Sequence, residues 1–314
     1  MRKRMILLFC LFLSVCCAAH PGIGLVKDSK GNIYYTDLKQ VWRIAPDGKK
    51  TIVVQGVHTH ELYMDEKENL YGQQSTYSGE ATNKWYHYIW RLNTKGKLDT
   101  IIPLTEGFYI EDFSFIWDKK GNRYWIQHWK EDRLMKTASN GKTTVIATGD
   151  FKLVQWMHIL NDVLYFIRHD SVFKVEKGNI KAVATGLCSK EKAHNSLFAL
   201  WSDARNNLYV ANFCKRKIQQ ITPAGAIKDY YQSPKGWSPS SGLFDNSGNF
   251  WVMEYDSKNE VRVRKVKDTA IGNKQGKQKA TETYLLLPVG IGLIMILIIR
   301  LWKEVVKHER HLFW

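Results

Sequence analysis

The stretch VHTHELYMD, residues 57–65, holds the side chains best suited to chemistry. His58 and His60 are two apart, so on a β-strand both face the same side. Glu61 follows directly. Two imidazoles and a carboxylate can bind zinc, or can serve as acid and base. A His-x-His alone is a common pattern, so a site requires partners from elsewhere in the chain. Glu111 and Asp112, Trp156 and His158, and His194 with Asn195 are the polar and aromatic candidates. The ligand-binding set read from the sequence is therefore His58, His60, Glu61, Glu111, Asp112, Trp156, His158, His194 and Asn195. No metal ligand, catalytic residue or cofactor is assigned. Scattered turn residues would look the same in one dimension; a shared centre is what would set a site apart.

Aromatic side chains offer a second kind of chemistry. Phe113, Trp156 and Phe198 lie near Trp117, Trp125, Trp129, Trp201 and Trp237. Aromatic faces beside amides and acids suit sugars and flat ligands, although such residues also build cores. Other chemistry lacks its motifs. There is no Gly-x-Ser-x-Gly, Walker loop or dinucleotide fingerprint, and no Cys nucleophile beside a His.

The elements that must position these residues repeat. DSKGNIYYTD at 28–37 returns as SDARNNLYVAN at 202–212 and DNSGNFWVME at 245–254. Aligning the aromatic after each turn gives Tyr34, Tyr71, Tyr124, Tyr165, Tyr209 and Trp251, spaced 37 to 53 residues apart. Six copies at this period match four-stranded propeller blades. Each copy reads as a short apolar strand, a turn of Asp, Gly and Asn, a second strand, a third ending at Gly, and a fourth. Alternation is of period two, the signature of β-strands. The predicted fold is all-β, a six-bladed β-propeller over 20–266.

GLVKDSKGNIYYTDLKQVWRIAPDGKKTIVV, residues 24–54, resembles an NHL repeat. The whole of 20–266 is similar to six-bladed propellers of the NHL and gluconolactonase-like superfamily. Blades 2 and 3 carry longer loops, and the blade 4 turn shrinks to Asn161-Asp162. The resemblance implies a fold more than an activity, because such folds host many functions. Gluconolactonase-like enzymes hold a divalent metal at one mouth of the channel with Glu, Asn and Asp side chains. Here the positions in register are Ile23, His60, Phe113, Trp156, Phe198 and Ser240, and the family's EGP-W and PNG signatures are absent. The family's metal chemistry is not expected to transfer.

The two ends place the propeller. MRKRM followed by ILLFCLFLSVCC and CAAH reads as a secretory signal, residues 1–19. Residues 267–283 form a basic stalk. YLLLPVGIGLIMILIIRLW, 284–302, is long and apolar enough for a transmembrane helix, and 303–314 a short cytoplasmic tail. Outside the signal only Cys188 and Cys214 remain, a candidate disulfide in an oxidising compartment. The chain has no Asn-x-Ser/Thr sequon, which leans towards a bacterial envelope. The net charge of +16 suits an anionic surface, polysaccharide or headgroup; nucleic acid does not fit an exported domain. CKRK at 214–217 is a candidate anion site, and VRVRKVK at 261–267 reads as an outer strand with a charged exposed face.

The expected protein is a single-pass membrane protein with its propeller outside the cytoplasm. It acts as a ligand- or protein-binding module, for a small molecule, glycan or envelope protein. The alternative is an exported gluconolactonase-like hydrolase using His58, His60 and Glu61.

Overall fold

The computed structural model describes residues 21–106, 116–127, 130–152, 154–188 and 196–266. The predicted signal, stalk, membrane span and tail lie outside these residues. Among the described residues no helix is long and apolar enough to cross a membrane.

Twenty-three strands form six antiparallel sheets, each a meander in sequence order. Blade 1 holds β1–β4 (Leu25–Lys27, Ile33–Thr36, Gln40–Ile44, Lys50–Gln55) and blade 2 holds β5–β8 (Leu62–Met64, Leu70–Tyr77, Trp85–Leu92, Leu98–Glu106). Blade 3 holds β9–β12 (Ile116–Trp117, Arg123–Gln127, Arg133–Thr137, Thr143–Thr148) and blade 4 holds β13–β16 (Val154–Leu160, Val163–Arg168, Ser171–Glu176, Asn179–Ala184). Blade 5 holds β17–β20 (Leu197–Ser202, Leu208–Asn212, Lys217–Ile221, Ile227–Gln232) and blade 6 holds β21–β23 (Trp237–Phe244, Phe250–Asp256, Val261–Lys265). This is the six-bladed propeller expected from the repeat.

The repeated phrase is a side-chain clasp. In blade 5 the Asp203 carboxylate accepts the Asn207 backbone amide at 2.9 Å, its side-chain amide at 2.8 Å and the Tyr209 hydroxyl at 2.9 Å. Asp28, Asp65 and Asp118 accept the same three donors from Asn32 and Tyr34, Asn69 and Tyr71, and Asn122 and Tyr124. In blade 6 the indole of Trp251 replaces the phenol, 3.0 Å from Asp245. The clasp fixes the turn between the first two strands, and so their register. Blade 4 solves the same problem differently. Asn161 and Asp162 both take positive φ, 51° and 61°, the two-residue hairpin geometry that Asn and Asp tolerate.

The core lies between blades. Each junction has its own apolar cluster, such as Phe198, Trp201, Tyr231 and Phe250 between blades 5 and 6. Strict alternation therefore fails where neighbouring blades cover both faces. β18 is buried along its whole length, while β10 keeps the alternating pattern.

Within the described residues blade 6 has three strands, and none of the described strands of blade 1 joins its sheet. Packing closes the ring instead. Leu25, Ile33 and Tyr35 of blade 1 bury against Leu243, Met253 and Tyr255 of blade 6. The reading of 261–267 as an exposed charged face is corrected here. Arg262 Nε and Arg264 Nε donate to Glu254 at 2.8 and 3.1 Å, and that carboxylate is fully buried. A buried carboxylate needs such partners. The Arg262 guanidinium also lies 3.8 Å from the ring centroid of Trp237.

Candidate functional site

The histidine pair sits where the chain enters blade 2. Thr59, between the two, is fully buried. Its carbonyl accepts the Thr36 hydroxyl at 2.7 Å, and its hydroxyl accepts the Trp90 indole at 3.1 Å. Residues 57–61 precede β5 and are not in a strand, so the expected strand alternation does not apply; Thr59 is pinned inward while His58 is exposed and His60 partly so. Their Nε2 atoms are 3.0 Å apart and their rings meet edge to face at 81°. The His60 carbonyl accepts the amides of Ile23 and Gly24, each at 2.8 Å, so the pair is tied to the first strand of blade 1.

The tautomer of His58 follows from its other nitrogen. Nδ1 lies 3.1 Å from the Leu38 carbonyl, which only accepts, so Nδ1 carries the hydrogen. In the neutral ring Nε2 is then the acceptor and His60 Nε2 the donor. Gln74 Oε1 accepts the His58 backbone amide. None of Leu38, Thr59, Gln74 or Trp90 was singled out from the sequence. The one visible signal, a polar Thr between two His, does not name its partners.

Glu61 departs from its neighbours. It directly precedes β5, whose Tyr63 stacks on Trp117 of blade 3 at 4.7 Å. The side chain keeps some surface, yet the protein crowded around its carboxyl pushes it up to about 8. At neutral pH it is mostly protonated. A carboxyl displaced this far is a functional-site signature when it lines a cleft.

Trp156 and His158 do not join the pair. The Trp156 indole donates to the Leu200 carbonyl at 3.0 Å, and His158 Nε2 is 3.0 Å from Ser202 Oγ. Both bonds cross from blade 4 to blade 5. Burial pushes His158 down to about 4, so its imidazole is neutral. His158 lies within β13 and meets the next blade through Ser202. The other register positions are apolar or enclosed. Ile23 and Phe198 belong to one buried cluster, and Ser240 is fully buried with its hydroxyl unpaired. Glu111, Asp112, Phe113, His194 and Asn195 lie outside the described residues.

Cys188 and Cys214 form a disulfide, which ties the loop after β16 to the loop after β18. The CKRK cluster is partly spoken for, because Lys217 pairs with Asp229.

The metal implied by the gluconolactonase resemblance requires several oxygen ligands. Among the described residues no three His, Cys, Asp or Glu side chains converge. Among the described residues the mouth offers imidazoles, a bonded indole and an enclosed hydroxyl, and those groups do not fit an oxygen-seeking cation.

A second concavity opens at the opposite end, between blades 1 and 2. It encloses about 310 Å³ and is lined by Asp28, Lys30, Tyr34, Arg43, Met64 and Glu68, among others. Sequence reading passed over it because its residues belong to turns and strand ends of two blades.

No family model and no curated protein matches the chain. Solved structures do. A gluconolactonase from Xanthomonas campestris aligns at a TM-score of 0.55 and 12% identity, covering 79% of this chain and 87% of that one. An auxiliary nutrient binding protein from Bacteroides thetaiotaomicron aligns at 0.55 and 12%, covering 81% and 69%. A similar protein from Bacteroides ovatus aligns at 0.54 and 11%, covering 79% and 70%. At such identities the likeness concerns the fold, and this chain is a six-bladed propeller of the architecture shared by gluconolactonases and nutrient-binding proteins.

Proposed function

We propose that the chain is a membrane-tethered, extracytoplasmic propeller that binds a small molecule, glycan or envelope protein at the mouth bearing His58 and His60. One observation carries this reading. The candidate polar groups among the described residues point to separate partners: His58 and His60 to each other, Trp156 to Leu200, His158 to Ser202. Catalysis requires groups aimed at one reacting atom, whereas binding tolerates dispersed contacts. The nutrient-binding propellers among its structural neighbours are consistent with this role. Export is supported by the Cys188–Cys214 disulfide, a bond suited to an oxidising compartment. The signal and late apolar run read from the sequence supply the tether.

The hydrolase reading retains one observation, the raised carboxyl of Glu61 next in sequence to His60. One experiment separates the two. The full-length chain is screened against a glycan and metabolite panel and, in parallel, against lactone and ester substrates. Saturable binding without turnover, weakened in His60→Ala, is the expected result. Turnover that disappears in Glu61→Gln or His60→Ala would replace the binding reading with the hydrolase.

A further inference from the structure

We propose that His58 and His60 form a chelating site for a divalent transition-metal ion of the copper(II) or zinc(II) class, at the rim between blades 1 and 2. The inference is independent of the organic or protein ligand proposed above.

The distance comes first. Metal–imidazole bonds are about 2.0–2.1 Å long. Two such bonds to nitrogens 3.0 Å apart meet at roughly 94°. That angle is near the square-planar value favoured by copper(II), and a modest opening reaches the tetrahedral value of zinc. A ring rotation that turns both Nε2 lone pairs towards one point is the only movement required. His60 shifts its ring hydrogen from Nε2 to Nδ1 by exchange with solvent and stays neutral, and the freed Nε2 lone pair then joins that of His58 on the metal.

The support behind the pair comes second. A metal-binding imidazole is typically oriented by its other ring nitrogen donating to a carbonyl or carboxylate. His58 Nδ1 already does this to Leu38. Leu38 holds φ at 70°, a left-handed conformation that a leucine ordinarily avoids. The strain is held by a buried network. Thr36 Oγ1 accepts the Leu38 amide at 3.0 Å and donates to the Thr59 carbonyl at 2.7 Å, and Thr36 is fully buried. What this conformation produces is a carbonyl aimed at His58. Strained backbone held by its surroundings tends to mark function. Trp90 fixes Thr59 from the other side, so both histidines project from a rigid base.

Access and donor type come third. His58 is exposed and His60 partly so. Two protein nitrogens leave coordination positions open for water or for a donor atom of a bound ligand. Imidazole selects copper, zinc and nickel, whereas calcium and magnesium take oxygen.

The test is calorimetric titration of the full-length chain, prepared without a histidine tag, with copper(II), zinc(II) and calcium(II). One copper(II) per chain is expected, and calcium should not compete. His58→Ala and His60→Ala should each weaken copper binding at least tenfold, while His169→Asn, on a turn of blade 4, leaves it unchanged. Because Trp90 bonds Thr59 between the two ligands, copper should quench part of the tryptophan fluorescence, and His60→Ala should abolish that quench. If an alanine variant fails to fold, His60→Gln keeps the side chain's size and polarity and carries the same expectation. Absence of a one-to-one event, undiminished binding in either histidine variant, or equal competition by calcium would overturn the proposal.

Discussion

The Gly22 amide donates to the Tyr255 hydroxyl at 3.0 Å, joining residues 233 positions apart across the seam between blades 1 and 6. The same phenol is 3.4 Å from the Thr36 carbonyl. A Cβ on Gly22 would come within 2.8 Å of that hydroxyl and 2.9 Å of Thr36 Cγ2. Among the described residues no strand is shared across the seam, so there this contact substitutes for ladder bonds. Tyr255→Phe leaves a buried amide unpaired and should destabilise by about 1–3 kcal/mol. Gly22→Ala should also destabilise, by forcing the seam apart. Urea unfolding of both variants checks this; wild-type midpoints would mean the seam is held elsewhere.

The Asp203 clasp should be worth more than one ordinary hydrogen bond, because four donors, the amides of Arg205 and Asn207, the Asn207 side chain and the Tyr209 hydroxyl, share one carboxylate. Asp203→Ala is expected to cost about 2–4 kcal/mol, since hydrogen bonds to a charged group contribute about 1.5–3 kcal/mol each and are not additive. Asp203→Asn retains part of the geometry and should cost less. Chemical denaturation of the two variants gives the order, and an Asn variant as unstable as Ala would argue against the clasp.

Acid should loosen several blades together. At Asp65, Asp118, Asp203 and Asp245 burial opposes ionisation, yet the bonds from Asn, Tyr or Trp and backbone donors outweigh it and hold each carboxyl below its ordinary 3.8. A depressed carboxyl contributes stability above its unfolded-state value and loses it as pH falls through the folded-state value. Thermal midpoints should therefore drop steeply below about pH 4, where unfolded carboxyls begin to protonate. Asp203→Asn should flatten that slope. A midpoint indifferent to pH in that range would contradict the clasp electrostatics.

His158 gives a different pH window. Burial lowers its imidazole from 6.5 to about 4. The unfolded chain binds that proton first, so stability is full above 6.5 and is lost as pH falls from there towards 4. The loss reaches about 3 kcal/mol at most, at 1.4 kcal/mol per unit. His158→Gln removes this dependence and keeps a partner for Ser202. Comparing the two proteins by differential scanning calorimetry between pH 7 and 4 tests it; parallel curves would show that His158 is not desolvated.

Glu61 acts in the opposite direction. Its folded-state value, about 8, lies above the ordinary 4.5, so the native protein holds the proton longer. Stability should fall as pH rises from 4.5 through 8. Glu61→Gln should be more stable than wild type at pH 8 and similar at pH 4, the pattern of a residue kept for function against stability. Equal stability at both pH values would remove Glu61 from the candidate site.

Some of this was legible in one dimension because its physics is local. The Asp-to-Tyr clasp spans seven residues, Asp203 to Tyr209, so each blade wrote its own turn into the chain. The His58–His60 pair was visible as two neighbouring imidazoles, but not on the expected strand: the loop before β5 brings their rings together. The partners of the candidate site were not. His158 was read only as a member of the binding set, and its bond to Ser202 crosses 44 positions. Arg262 and Arg264 looked like solvent-facing charge, yet they neutralise Glu254, which only the folded sheet buries.

The sequence by itself determined the number of blades, their hairpins and the order of their strands, because hydrogen bonds within a turn and alternation along a strand depend on near neighbours. Only the tertiary structure decided which side chains share a centre. That outcome depends on how one blade faces the next, and the faces are set by packing between residues one blade apart in the chain, where no local pattern reaches.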